Sequence, residues 1–321
     1  MGALQFVPVS VELAPLFRRD IQALRGLAIL LVLLHHAKLD FLTAGYLGVD
    51  IFFVISGYLI TQIIRRDLEN GIFSFPAFYF RRAKRLLPAA YVTLLVTTLL
   101  SALFLTQSEA RDFFKQLVGA VTFTGNIALW LQTGYFEGAA NLKPLLHVWS
   151  LSIEEQYYML LPAAMVLAPR RYWLPAMAML LILSMALCFA LAGSKPGATF
   201  YLLPTRGWEL ALGSLGALMP AKAMLDKRVS GLVWPALLML LVIPAFPTGI
   251  VQPWGDAALV CAATLVVILG RHPSLVQSPA LLPLARLGDF SYSLYLVHWP
   301  LFAFANNAYV SPAPIDRKSV V

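Results

Sequence analysis

Long apolar segments recur along almost the whole chain, and they restrict the possible folds more than any other feature of the sequence. Most are about 17–25 residues long, the length that an α-helix needs to cross a bilayer. Backbone groups in lipid must pair within their own helix, so such segments favour a helical bundle. We predict an all-α integral membrane protein with about nine spans, at residues 21–38, 46–64, 86–105, 146–168, 172–192, 202–219, 231–247, 256–270 and 289–309.

The charge content agrees with a membrane location. Only 12% of the 321 residues are charged, whereas a soluble domain carries about 25%. The net charge of +8 comes from basic residues in short loops, which is typical of topology signals and argues against a nucleic-acid partner. These loops are Arg18-Arg19, Arg65 to Arg85, Arg170-Arg171, Lys222 to Arg228 and Arg271 to Arg286. Placing all of them inside predicts a multi-pass protein with a cytoplasmic N-terminus.

The segment after the third predicted span tests this topology. Residues 113–130 are apolar enough for a tenth span, but a crossing there would place Arg170 and Arg171 outside. We therefore interpret residues 106–145 as an external loop with a surface helix. The chain then divides into a cytoplasmic segment, a membrane domain and a polar tail, at residues 1–20, 21–310 and 311–321. The two cysteines, Cys188 and Cys261, lie inside apolar segments, and we expect them to be buried small side chains.

Polar side chains inside predicted spans are candidates for function, because a charge at the bilayer centre costs about 2.5–3.5 kcal/mol on insertion scales. In the first span, Arg25 and His36 are eleven residues apart, so they lie on one helix face, roughly 16 Å apart. His35 points away from that face. An imidazole can take a proton from a hydroxyl when a partner orients it. The alternative is a histidine at a helix end in the membrane interface.

Two groups of charged residues flank the next spans. Asp50 begins the second span near the predicted depth of His36, where it could orient the imidazole or cap the helix. Arg81, Arg82 and Arg85 stand at the inner end of the third span. Arg82 and Arg85 share a helix face and suit a phosphate-rich ligand such as an acyl-CoA thioester. Anchoring to lipid phosphates is the alternative. Gly48, Ser56 and Gly57 favour close helix packing.

The fourth span carries the most informative motif. Glu154 and Glu155 are adjacent and lie within an apolar span, so at least one must meet a partner on another helix or a wet cavity. We expect them at the outer end, level with His36. Further polar residues of later motifs are candidates for supporting the site: His147, Ser152, Arg206, Glu209, Ser291, Tyr295 and His298. Arg206 and Glu209 are spaced to pair along one helix. No metal-ligand spacing is present, and we expect no metal.

The order of these motifs resembles the acyltransferase family 3 membrane proteins, which O-acetylate bacterial cell-surface glycans. The matching motifs are Arg25 with His36, Gly48 to Tyr58, Arg82 with Arg85, Trp149 to Gln156, Arg206 to Glu209 and Ser291 to Pro300. The resemblance implies an acyl-CoA co-substrate, most simply acetyl-CoA, on the cytoplasmic side and a glycan or lipid-linked sugar outside. It implies that His36 is the general base or handles the acyl group, that Arg25 completes an essential pair with it, and that Arg82 and Arg85 bind the donor.

The resulting hypothesis is an O-acyltransferase in which Asp50 or Glu155 orients His36 for attack of a glycan hydroxyl on the thioester, directly or through an acyl-enzyme. Family members usually have ten spans, so we expect the last helix to be absent here. A proton-coupled transporter or flippase of a lipid-linked sugar is the alternative, although the inverted repeats typical of transporters are not found. A third possibility is an inactive scaffold of a glycan-synthesis complex, which would tolerate loss of His36.

Overall fold

Helices make up all the regular secondary structure in the part of the chain that the structure describes. The computed structural model describes residues 18–39, 41–133, 140–220, 227–250 and 254–310. The α-helices are α1 Arg19–His36, α2 Gly48–Glu69, α3 Phe75–Phe104, α4 Gln107–Val121, α5 Gly125–Leu131, α6 Val148–Leu167, α7 Trp173–Leu191, α8 Pro196–Tyr201, α9 Leu203–Leu218, α10 Lys227–Gly231, α11 Val233–Val242, α12 Trp254–Gly270, α13 Pro273–Val276, α14 Leu282–Asp289 and α15 Ser291–Val310. The predicted all-α class is confirmed.

Each of the nine predicted spans contains a helix, with two differences in length. Helix α3 begins at Phe75, eleven residues before the predicted span, so the arginines at 81–85 lie inside a 30-residue helix. Helix α11 has only ten residues and ends at Val242. The predicted N-terminal segment, apart from residues 18–20, and the tail 311–321 lie outside the described residues.

Three helical segments are long and apolar enough to cross a membrane by length and composition: Gly45–Glu69, Phe75–Phe104 and Arg170–Leu191. Helices α1, α6 and α15 have 18, 20 and 20 residues, but charged and polar side chains interrupt their apolar character. These are the helices that carry most of the predicted site residues. Apolar helices together with polar interior positions are typical of a membrane protein whose site lies inside the bundle. The number of crossings and the side of the N-terminus stay predictions.

Helix α2 lies at the centre of the bundle, where it crosses α9 closely. A Cβ atom on Gly57 would lie 2.0 Å from the backbone oxygen of Leu210, and one on Gly213 would lie 2.0 Å from the backbone oxygen of Val54. The two backbones therefore meet where neither helix has a side chain, as is common between membrane helices. Packing was the predicted role of Gly57 and also of Gly48, where an added Cβ would lie 2.3 Å from a backbone oxygen of α1.

Residues 113–130 do not form one continuous helix. Helix α4 ends at Val121 and α5 begins at Gly125, with Phe123 between them at a φ of 56°. A non-glycine residue in this left-handed region breaks the helical ladder. The break leaves two helices of 15 and 7 residues, each shorter than a typical membrane span. The location of residues 106–145 outside the membrane stays a prediction.

The two cysteines are free and buried, as expected: Cys188 faces the core from α7 and Cys261 from α12.

Candidate active site

Four arginines from two helices line one large cavity. Arg25 reaches it from α1, and Arg81, Arg82 and Arg85 reach it from α3. The cavity has a volume of about 500 Å³. We call it the arginine cavity and define it by these four residues. The predicted one-face arrangement of Arg82 and Arg85 is confirmed, because both side chains face the same space.

Glu154 of α6 lines this cavity, and the adjacent Glu155 lines a neighbouring cavity of about 260 Å³ that also contains Arg82. Arg82 Nη2 donates to Glu155 Oε1 at 3.1 Å, and its guanidinium carbon lies 3.7 Å from the ring centre of Tyr158. Glu154 accepts hydrogen bonds from the hydroxyl of Ser56 at 2.6 Å and from that of Tyr158. The predicted partners from other helices therefore exist, and they come from α2 and α3.

The four arginines are not equally engaged. Arg81 contacts Asp67 at 3.2 Å, and Arg25 donates to the side chain of Gln22 at 3.1 Å. Arg85 forms no hydrogen bond or ion pair with any residue in the described ranges. The buried hydroxyl of Ser291 also lines the cavity, and it too has no hydrogen-bond partner among the described residues. The cavity thus retains donor groups that a ligand can use.

A second cavity, of about 250 Å³, lies at the C-terminal end of α1. We call it the histidine cavity and define it by His36, His147 and Trp299, which line it together with Asp50 and Arg206. Neither ring nitrogen of His147 makes a hydrogen bond of normal geometry with a described residue; its imidazole has only a weaker interaction with the backbone of Leu296.

His36 meets a histidine rather than a carboxylate. Its Nδ1 lies 3.2 Å from Nε2 of His298 on α15, and its ring stands edge-on to Trp299 with centroids 4.6 Å apart. The expectation that Asp50 or Glu155 orients His36 is wrong. Glu155 pairs instead with Arg82 of α3, in the cavity next to the arginine cavity. Neither glutamate lines the histidine cavity, and their common level with His36 stays a prediction.

Asp50 belongs to a buried charge cluster with Arg206 and Glu209. Arg206 lies 3.1 Å from Asp50 and 3.3 Å from Glu209, which confirms the predicted pair along α9. All three side chains are almost fully buried. Four aromatic rings surround the guanidinium, with centroids 5.1 to 5.8 Å from its carbon: Phe53, Trp149, Phe200 and Trp254. The cluster ties α2 to α9.

The two cavities are separated by a thin layer of side chains. Val49 and Tyr295 line both of them. The hydroxyl of Tyr295 lies 2.7 Å from that of Ser150 and donates to the backbone oxygen of His147 at 3.2 Å. Arg25 and His36 lie on one face of α1, and Arg25 lines one cavity while His36 lines the other. This face of α1 therefore extends from one cavity to the other. Groups bound in the two cavities would approach each other at Val49 and Tyr295.

Two predicted support residues have structural partners. Nδ1 of His35 lies 3.1 Å from the backbone oxygen of Leu42, which holds the loop after α1. Ser152 accepts from the backbone N–H of Gly125 at 3.1 Å, which joins α5 to α6. Neither side chain lines the histidine cavity.

Sequence reasoning missed several site residues: Ser56, Ser150, Tyr158 and Trp299. Ser56, Ser150 and Trp299 lie inside motifs that we singled out, and Tyr158 lies two residues after one. Each is polar or aromatic at a position where lipid-facing helices carry aliphatic side chains. Ser56 was interpreted as a packing residue, yet its hydroxyl binds Glu154. The spacing of Ser56 could have indicated its role. Ser56 is six residues after Asp50 on α2, so one helix can place a polar side chain at each of two different depths.

Among the described residues, no group of three or more histidine, cysteine, aspartate or glutamate side chains is arranged to hold a metal ion. The arrangement instead offers cations for an anionic ligand in one cavity and an imidazole in the other. That combination suits transfer of a group from an anionic carrier to a nucleophile.

Comparison with known families bears on this arrangement. A family described as an acyltransferase domain matches residues 18–315. The chain belongs to acyltransferase family 3. The resemblance that the motifs indicated is therefore confirmed, and membership supports acyltransferase activity in a membrane.

Similar proteins include three bacterial examples. BcsY of Komagataeibacter xylinus, whose name describes a membrane-bound transacylase, is 33% identical over 90% of this chain and 74% of its own length. The peptidoglycan O-acetyltransferase OatA of Listeria monocytogenes is 29% identical over 88% of this chain and 49% of its own length. The O-acetyltransferase OatA of Staphylococcus aureus is 28% identical over 97% of this chain and 55% of its own length. The chain therefore spans about half the length of these two O-acetyltransferases. No solved structure matches the chain.

Proposed function

We propose that this protein is an O-acyltransferase of a bacterial inner membrane that moves an acyl group, most simply acetyl, from an acyl-CoA to a hydroxyl of a cell-surface or lipid-linked glycan. The observation that carries the proposal is the pair of chemically different cavities that meet at Val49 and Tyr295. One is rich in cations and the other contains the imidazole of His36.

The donor binds in the arginine cavity. Coenzyme A carries several phosphates, and guanidinium groups bind phosphate through two parallel hydrogen bonds. Arg85 is free for this contact among the described residues, and Arg82 can exchange its bond to Glu155 for a phosphate oxygen. The basic loops predicted on the cytoplasmic side support entry from there. The thioester end then extends toward Val49 and Tyr295.

The acceptor hydroxyl binds in the histidine cavity, which the same topology places toward the outer side. His36 is its base. The ring nitrogens of His147, which make no hydrogen bond of normal geometry with a described residue, are available to hydrogen-bond the sugar. Trp299 closes the cavity beside His36. The names of the similar O-acetyltransferases support a hydroxyl as the acceptor and, for one of them, a peptidoglycan.

The reaction needs one proton acceptor. The acceptor oxygen attacks the thioester carbonyl while its proton passes to the imidazole of His36. The tetrahedral intermediate then collapses, the carbon–sulfur bond breaks, and the CoA thiolate leaves. The proton on His36 returns to the sulfur. The products are an O-acyl glycan and free CoA. Base catalysis of this kind contributes roughly 10²–10⁴-fold to rate.

Purified protein in lipid nanodiscs with radiolabelled acetyl-CoA tests the proposal. We expect Arg85→Ala to raise the donor Kd by about 10–150-fold, which corresponds to a lost charged hydrogen bond of roughly 1.5–3 kcal/mol. We expect His36→Ala to keep the donor Kd and lose turnover. Arg171→Ala, an exposed arginine outside both cavities, is the matched control and should change neither quantity.

Two results would contradict this function. Normal turnover in folded His36→Ala protein would remove the base from the mechanism. Movement of a lipid-linked sugar without any consumption of acetyl-CoA would indicate a transporter.

A further inference from the structure

His298 lies next to His36, and a backbone carbonyl oxygen determines which nitrogen of its neutral ring carries the hydrogen. Its Nδ1 is 2.7 Å from the backbone oxygen of Tyr295, and the backbone of Leu294 interacts with the same ring. A carbonyl oxygen only accepts hydrogen bonds. Nδ1 of His298 must therefore carry the hydrogen, and in a neutral ring Nε2 is then an acceptor.

Through the contact between the two rings, the tautomer of His298 determines which nitrogen of His36 carries the hydrogen. The two ring planes are inclined to each other by 22° with centroids 5.2 Å apart, and Nδ1 of His36 lies 3.2 Å from Nε2 of His298. The two nitrogens are thus much closer together than the two ring centres, so they face each other, as a nitrogen–nitrogen hydrogen bond requires. Because Nε2 of His298 accepts, Nδ1 of His36 must donate.

We propose that His298 is a positioning residue that holds His36 as the Nδ1–H tautomer and leaves Nε2 of His36 unprotonated toward the histidine cavity. The use of that nitrogen as a base rests on the proposed function. The tautomer itself follows from two successive hydrogen bonds, one between His298 and the backbone oxygen of Tyr295 and one between His36 and His298. Trp299, edge-on to His36, limits rotation of the ring out of this line.

His298 takes this positioning role because the carboxylates near His36 have other partners. The nearby carboxylates are engaged elsewhere: Asp50 by Arg206, Glu154 by Ser56 and Tyr158, and Glu155 by Arg82. Within the described ranges no carboxylate forms a hydrogen bond or ion pair with His36. A neutral histidine here does what a carboxylate does in a serine-protease triad, which is to select the tautomer and accept from the imidazolium.

Of the two histidines, only His36 gains and loses a proton during the proposed reaction. When Nε2 takes the proton of the acceptor hydroxyl, His36 becomes an imidazolium, and its Nδ1–H bond to His298 becomes charge-assisted and stronger. His298 keeps its own hydrogen on Nδ1 throughout.

Nitrogen-15 NMR of the full chain in nanodiscs, with labelled histidine, reads the tautomer without any reaction. The chain has five histidines, and His36→Ala assigns the signals of His36. We expect a protonated Nδ1 and an unprotonated Nε2 on His36 at neutral pH. In His298→Leu, we expect this preference to disappear. A wild-type His36 with hydrogen on Nε2, or a tautomer that His298→Leu leaves unchanged, would overturn the inference.

Kinetics distinguish positioning from a general loss of structure. We expect His298→Leu to lower kcat by about 10²-fold with an unchanged KM for acetyl-CoA. His298→Gln keeps a donor for Tyr295 and an acceptor for His36, so it should recover at least tenfold of that loss. His272→Gln lies outside both cavities and is the control. Equal kcat for the leucine and glutamine variants would contradict positioning through the hydrogen bond. The predicted tautomer together with normal kcat in His36→Ala would uphold the tautomer and reject the proposed function.

Discussion

The two cavities differ in how their charges are compensated. The arginine cavity has four guanidinium groups, and two of them, Arg25 and Arg85, form no ion pair with any described residue. Beside the histidine cavity, the single guanidinium of Arg206 lies between two carboxyl groups, Asp50 and Glu209. An uncompensated cation near an open cavity can bind an anion, whereas the guanidinium of Arg206 is already compensated by two carboxyl groups. Charged residues at similar positions in membrane helices thus serve different purposes.

The strongest test of this difference removes the cation from the buried cluster. Arg206→Met leaves two carboxyl groups without compensation, and breaking a buried ion pair in this way costs about 3–5 kcal/mol. We expect a corresponding loss in the free energy of unfolding, measured by thermal unfolding in nanodiscs.

The matched variant removes the whole cluster. Asp50→Leu, Arg206→Met and Glu209→Leu together replace it with apolar side chains, which is often nearly neutral for buried ion pairs. The triple variant should therefore be more stable than Arg206→Met alone. A triple variant that is less stable than the single one would show that the charges of the cluster stabilise the protein in themselves.

A second test addresses the layer between the cavities. Val49 is buried and lines both, so Val49→Phe should block the approach of donor and acceptor. We expect turnover to fall by about 10²-fold, as for small misplacements of reacting groups, with the Kd for acetyl-CoA within about twofold of wild type. Val49→Ala, which opens the layer, is the control for a change at this position. Equal turnover in Val49→Phe and wild type would contradict transfer through this layer.

A third test compares the ion pair at the arginine cavity with an exposed one. Arg82 and Glu155 are partly buried, with side chains 21% and 17% exposed, whereas those of Arg65 and Glu69 are 34% and 41% exposed. A double-mutant cycle should give a coupling free energy of about 1.5–3 kcal/mol for the first pair and about 0.3–0.5 kcal/mol for the second.

The same variants sharpen the donor assignment. Glu155→Gln releases Arg82 and removes a negative charge, so acetyl-CoA should bind more tightly. Weaker binding in this variant would contradict a phosphate contact by Arg82.

Local regularities of the sequence were sufficient for the helices and for contacts within one helix. The length of each apolar segment was sufficient to predict a helix there, because a segment in lipid must form its backbone hydrogen bonds within its own helix. The three-residue spacing of Arg206 and Glu209 predicted their pairing, and that of Arg82 and Arg85 predicted a common face, since the helical repeat determines both. The charge bias of later loops predicted that residues 113–130 do not form a span, but the helix break at Phe123 was not predicted.

Contacts between helices were decided by the tertiary structure alone. His36 finds its partner 262 residues away, at His298, and Asp50 finds Arg206 156 residues away. Either histidine or carboxylate could orient an imidazole, so the residue types left the choice open. The choice depends on which helices pack together and at what height, and glycine contacts such as Gly57 with Leu210 set that height. The sequence alone determined which helices carry the charged groups and histidines of the site; only packing determined which of these groups meet.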